Sequence, residues 1–206
     1  MVADALTILK NPKFKIRRFR LSVSAAGSKL FLESLRSLNF QLNVQSVYIN
    51  ADRDVILRCL QILTPGSLEE IGFAALDNSD EIVETEQWKK AKKLWMLNFP
   101  AGLRAETVLH FEEIKIGDFA LSERNLVVIR DILLKSTHLK VFNAGIAFPW
   151  FETDIRRGQE KVDRIMSQHS GYDSKARRFS IPNSRDYFQL GIGVDGIWRI
   201  DKVSES

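Results

Sequence analysis

Cysteine is almost absent from this sequence. Cys59 is the single one among 206 residues, so no intramolecular disulfide can form, and a reducing compartment, cytoplasm or nucleus, is expected. No run of eighteen apolar residues occurs, so no membrane-spanning helix is expected. The opening residues, MVADALTILKNPKFK, are too briefly apolar and too quickly charged to read as a signal peptide. Histidine is scarce too. His110, His138 and His169 are scattered without partner spacing, and with a lone cysteine they make no metal-ligand cluster. No serine sits in a G-x-S-x-G elbow. The paired carboxylates Glu69-Glu70 and Glu112-Glu113 are neighbours on predicted strands, where adjacent side chains face opposite sides. Neither pair makes an acid/base couple. No catalytic residue, metal or cofactor is expected, and the chain does not read as an enzyme.

A large charge excess is also missing. The formal net charge is +4, far from what a dedicated polyanion binder carries. The charge is unevenly spread, however. Residues 1–66 hold ten Lys or Arg against four acids, and residues 67–86 hold seven acids and no base. A basic end beside an acidic belt suits selective protein surfaces at least as well as a phosphate groove.

What the sequence does contain is a repeated phrase: apolar, two variable residues, apolar, one variable, apolar. It occurs at Ile16–Leu21, Val44–Ile49, Leu68–Phe73, Ala91–Met96, Phe111–Ile116 and Leu139–Ala144. The central apolar residue (Phe19, Val47, Ile71, Leu94, Ile114, Phe142) advances by 28, 24, 23, 20 and 28 positions. Steps of roughly 20–29 residues belong to leucine-rich-type repeats. The closing alternation is the period of a strand with one buried face.

Helix-period segments lie between most copies. Gly27–Leu38 is one. Asp52 can cap Val55–Leu63, which stops at Pro65-Gly66, and Ser122 can cap Leu126–Leu134. Asp154–Gln168 is a more polar helix. His169–Ala176 reads as loop. Near the end, Asp195-Gly196 between two apolar alternations predicts a β-hairpin. The expected fold is α/β: an irregular leucine-rich-repeat-like solenoid, with a mostly parallel sheet backed by helices and an antiparallel hairpin at the C-terminus. It forms one repeat domain over 1–206. A leading helix covers 1–10, strand–helix repeats 14–150, and a helix with the hairpin cap 151–206.

Gly191–Gly196 matches G-x-G-x-x-G, but it falls inside the hairpin with no following helix, so no dinucleotide site is expected. Trp88, Trp150 and Trp198 read as packing residues; for Trp150 the alternative is an exposed aromatic loop tip formed by Ala147–Phe151, after the sixth strand.

Parity within the copies names a surface. Their third and fifth positions point away from the helices, giving Arg18, Arg20, Tyr48, Glu70, Lys93, Trp95, Glu113, Lys115 and Asn143. Tyr, Trp and Arg are favoured interface anchors. The mixed charge suits a protein partner, because Glu70 and Glu113 would repel a phosphate backbone. Within Thr85–Phe99, Thr85 is expected to cap a helix that buries Trp88 and Ala91. Lys89, Lys90, Lys92 and Lys93 stay largely in water, and strand parity turns Trp95 outward.

Several of these stretches resemble a known family. The Glu-Gln-Trp-Lys-Lys-Ala-Lys core at 86–92 resembles the signature of the FTH domain, a large nematode family found C-terminal to F-boxes. Ala5–Lys13 with Arg18–Leu21 is similar to its opening segment. Leu63–Ile71 resembles its Pro-Gly-x-Leu-Glu-x-Ile turn, and His110–Ile114 its next block. The likeness runs from about residue 4 to 150, and more loosely to about 200.

The resemblance implies a protein-interaction domain: the substrate-recruiting part of an F-box-type ubiquitin ligase subunit, meeting its protein target through the exposed sheet face. The FTH-like stretch starts within a few residues of Met1, so a Skp-type adaptor is an expected partner only if an F-box precedes this chain. Membrane partners are not expected. Nucleic acid is the alternative, through an RNA-associated role for the basic band Lys10, Lys13, Lys15, Arg17, Arg18 and Arg20.

Overall fold

Alternating apolar residues in short segments can bury one face only by lying beside other strands, and the repeated phrase does this. A computed structural model describes residues 15–24, 27, 33, 41–76, 80–100, 102–146, 152–193 and 195–204. The predicted leading helix over 1–10 and the Ala147–Phe151 loop tip lie outside them. So does the Gly27–Leu38 helix, apart from residues 27 and 33, both helical. The chain divides into two compact units, Met1–Met96 and Leu97–Ser206.

In the first unit, β1 (Lys15–Ser22), β2 (Asn43–Asn50), β3 (Glu70–Phe73) and β4 (Lys93–Asn98) pair in that order, all parallel. The register aligns the repeated phrase residue by residue. Phe19, Val47, Ile71 and Leu94 stand opposite one another, and so do Leu21, Ile49, Phe73 and Met96. From β2 to β4 these side chains are buried, each worth about 1.5–3 kcal/mol relative to exposure. Helix α1 (Arg53–Gln61) backs the strands with Val55, Ile56, Cys59 and Leu60. Asp52 occupies its N-cap position, but its side chain makes no capping hydrogen bond.

Two short helices, α2 (Asp80–Val83) and α3 (Glu86–Lys90), stand between β3 and β4. Thr85 caps α3 as expected, accepting from the Trp88 N–H at 3.2 Å. Lys89 and Lys90 remain at the solvated end, paired with Glu84 at 2.8 Å and Glu86 at 3.4 Å.

In the second unit, β5 (Glu113–Phe119) and β6 (Val141–Ile146) are parallel. Among the described residues between β4 and β5, the one helical element is a 3₁₀ turn, Ala105–Thr107. Helix α4 (Glu123–Lys135) connects β5 to β6, and Ser122 caps it by accepting from the Asn125 N–H at 3.1 Å. Helix α5 spans Glu152–Met166. The rest of the unit is antiparallel: β10 (Ile197–Val203) pairs with β6 and with β9 (Tyr187–Ile192), followed by β8 (Arg178–Ser180) and β7 (Tyr172–Asp173).

The fold is thus mixed α/β, with largely parallel strands backed by helices and an antiparallel C-terminal part. The expected His169–Ala176 loop contains β7, a two-residue strand held by Phe179 and Arg178 across the pair. The hairpin at Asp195-Gly196 is present. Gly196 takes φ +69°, where a side chain would be strained, and the Ile197 N–H donates to Asp195 Oδ1 at 3.1 Å.

One close approach tests this packing. A Cβ on Gly145 would lie 2.3 Å from the carbonyl oxygen of Gly117 on the neighbouring strand. Backbone on both sides leaves no flexible group to yield. Gly145→Ala is expected to cost about 1–3 kcal/mol, measured as a lowered urea midpoint. An unchanged midpoint would mean that β5 and β6 are not packed this closely.

Candidate partner-binding face

The parity that buries the apolar positions turns their neighbours to the opposite side of each strand. In the first unit this builds two cross-strand rows. Arg18, Ser46, Glu70 and Lys93 form one, and Arg20, Tyr48, Gly72 and Trp95 the next. All six expected residues of this unit fall in these rows. Arg18 and Arg20 are exposed, whereas Tyr48, Glu70, Lys93 and Trp95 are half-buried.

The second row makes an aromatic notch. Tyr48 and Trp95 meet edge to face, with ring centroids 4.7 Å apart at 72°. The Arg20 guanidinium lies over the Tyr48 ring, 5.2 Å from its centroid. Gly72 is the floor. A Cβ there would come within 3.1 Å of Tyr48 Cδ2 and 3.4 Å of Trp95 Cε3. These residues, with Arg18, Ser46, Val47 and Glu70, line a depression of about 210 Å³. Beside it the Ser46 hydroxyl donates to Glu70 Oε2 at 3.2 Å, and the Gln45 amide donates to Glu69 Oε2 at 3.1 Å.

The remaining three expected residues lie in the second unit. Glu113 and Asn143 are half-buried and Lys115 is exposed. Lys115 pairs with Glu113 at 3.4 Å. Lys115 stands opposite Asn143, which stands opposite Arg199. With Gly117, Gly145 and Ile197 they border a depression of about 360 Å³. Arg199 holds the Asp195 carboxyl below its usual value, chiefly by its hydrogen bond to it.

The parity rule already contained Ser46 and Gly72, the third and fifth positions of their copies, but small side chains carry no interface signal of their own. Arg199 comes from an antiparallel strand that holds no copy of the phrase.

Cys59 is not a reactive group. Burial pushes its thiol up to about 12, so thiolate is scarce at neutral pH. Among the described residues no helix is long and apolar enough to cross a membrane.

The family model of the FTH domain matches residues 28–162, well over half of the chain. The chain belongs to the FTH domain family. A curated relative, F-box A protein 224 of Caenorhabditis elegans, is 28% identical over 143 residues, covering 63% of this chain. The chain spans 37% of that relative's length. No solved structure matches it.

Two stretches that carry the FTH resemblance meet in space, away from the outward rows. Gln87 is buried and its Nε2 donates to the Leu63 carbonyl at 2.8 Å, tying the Gln-Trp-Lys stretch to the residue that opens the Leu63–Ile71 turn. Trp88 next to it is buried against Phe73. In this FTH domain those signature residues hold the fold together, and the outward rows are a separate set of side chains.

Proposed function

We propose that this FTH domain is a non-catalytic protein-interaction module whose sheet face recruits a target, as the substrate-recruiting part of an F-box-type ubiquitin ligase subunit in the cytoplasm or nucleus. One observation carries the reading. Two large aromatics, Tyr48 and Trp95, stand paired on the outward side of strands whose other side is filled with buried apolar residues. Half-buried aromatics bordered by arginine are what binding hot spots are made of. The F-box in the name of the C. elegans relative supports the ligase setting. A Skp-type adaptor enters only through an F-box attached to this domain. Copies advancing by 20–28 residues support reading residues 1–206 as one irregular, leucine-rich-repeat-like solenoid. We assign Glu113, Lys115 and Asn143 to the same binding role as the first unit's rows.

The test is quantitative affinity purification from nematode extract, comparing the native chain with Trp95→Ala. A hot-spot aromatic contributes about 2 kcal/mol or more, so recovery of the client should fall by well over tenfold. The unfolding midpoint should move little. If the same proteins are recovered at the same level with both chains, the face is not the recruiting surface.

A further inference from the structure

The first unit's face carries a chemical preference, and reading it rests on the assignment of that face to a protein partner. Strand β1, KIRRFRLS, has four basic residues and no acid. Lys15, Arg17, Arg18 and Arg20 are all exposed. Arg18 and Arg20 are two residues apart, so both project on the side that holds the notch. Among the described residues no carboxylate forms an ion pair with either, and the Arg20 guanidinium rests on the Tyr48 ring. The neighbouring acid, Glu70, is turned to the Ser46 hydroxyl.

A cationic ligand is disfavoured here, because the Tyr48 face that would receive it already holds Arg20. A nucleic-acid strand is disfavoured for two reasons. Bases stack on open ring faces, but Tyr48 is covered on one face by Arg20 and meets Trp95 edge to face. Glu69 and Glu70 also share a depression of about 180 Å³ with Arg17 and Arg18, where a continuous phosphate backbone would meet carboxylates. A peptide can place separate carboxylates against the guanidiniums and leave the acids alone.

We propose that the Arg18–Arg20–Tyr48–Trp95 corner recognises an extended acidic segment of the partner protein. One apolar side chain enters the 210 Å³ notch over Gly72 while flanking carboxylates meet Arg18 and Arg20. The guanidiniums supply charge selection, and the ring pair supplies the demand for an apolar residue between the acids.

Fluorescence anisotropy on the full chain tests this with four labelled probes. Three are glycine–serine peptides centred on Asp-Leu-Asp, Lys-Leu-Lys or Asp-Ser-Asp, and the fourth is a single-stranded oligouridylate. The Asp-Leu-Asp peptide should bind at least about tenfold tighter than the Lys-Leu-Lys and Asp-Ser-Asp peptides. Arg18→Glu with Arg20→Glu should invert the preference between the aspartate and lysine peptides. Arg18→Gln with Arg20→Gln should flatten it and serves should the reversed chain fold poorly. Trp95→Ala should erase the advantage of leucine over serine.

Three results overturn the inference: equal affinity for all three peptides, no peptide binding up to about 1 mM, or tight oligouridylate binding that weakens steeply with salt. The purification with Trp95→Ala distinguishes loss of the recruiting face from loss of its acidic preference. Client recovery that needs Trp95 but ignores both arginine reversals sinks the acidic-segment inference and leaves the recruiting face standing. Recovery that ignores Trp95 as well sinks both.

Discussion

Replacing Trp88 by alanine is expected to destabilise the first unit by about 3–5 kcal/mol, the range for truncating a large buried aromatic. Trp88 is 1% exposed and stacks on Phe73 with centroids 6.2 Å apart. Its backbone N–H is held by the Thr85 cap, and its neighbour Gln87 is anchored to the Leu63 carbonyl. Helix α3 has only five residues, too few to hold itself in water. Removing the indole therefore removes most of what fastens this segment to the strands. A loss of that size consumes much of a domain's usual 5–15 kcal/mol.

Trp95, seven residues on in the sequence, gives the contrast. It is half-buried on the outward side, and its edge-to-face pair with Tyr48 is worth about 0.5–1.5 kcal/mol. Urea unfolding of the two variants, with amide exchange followed separately over residues 1–96 and 97–206, checks the ordering. Trp88→Ala should raise exchange across β2, α1 and β3, and Trp95→Ala should not. Equal losses would mean that strand parity does not sort the two indoles as described.

That ordering was legible in the sequence because alternation is a property of side chains. Leu94 and Met96 must go inward together, so Trp95 goes outward, and the same rule placed Tyr48 above buried Val47 and Ile49. The caps were legible in part. Thr85 and Ser122 bond as expected, whereas Asp52 holds the position without the bond, since a cap residue in place does not fix its rotamer.

The role of Gln87 was not legible. A glutamine among lysines reads as solvated, and its burial is decided by a carbonyl 24 residues away. Nor was the 3₁₀ turn before β5, because the repeat fixes where strands recur but not how much helix fits between them. The notch itself was half legible: its rings follow from parity, but Gly72, whose missing side chain makes the floor, has no pattern to announce it.

Trp198→Ala should have a comparable effect, about 3–5 kcal/mol, confined to the second unit. Trp198 is fully buried in β10, opposite Ala144 of β6 and Ile192 of β9. It lies 5.7 Å from the Phe119 ring and 5.5 Å from that of Phe142, and those two rings are 6.1 Å apart. The indole is thus the third side of an aromatic triangle drawn from β5, β6 and β10, and it joins the parallel strands to the antiparallel ones. Ala144 has no bulk to close the gap, so the cavity would remain and the cost should sit at the upper end of the range. Arg199→Ala, at the next position on the same strand, is the control. Its side chain is exposed and pairs with Asp195 at the turn, an interaction worth about 0–1 kcal/mol. Exchange in β9 and β10 should accelerate strongly for Trp198→Ala and hardly at all for Arg199→Ala. If Trp198→Ala left exchange across β6, β9 and β10 unchanged, the antiparallel strands would not owe their attachment to this aromatic core.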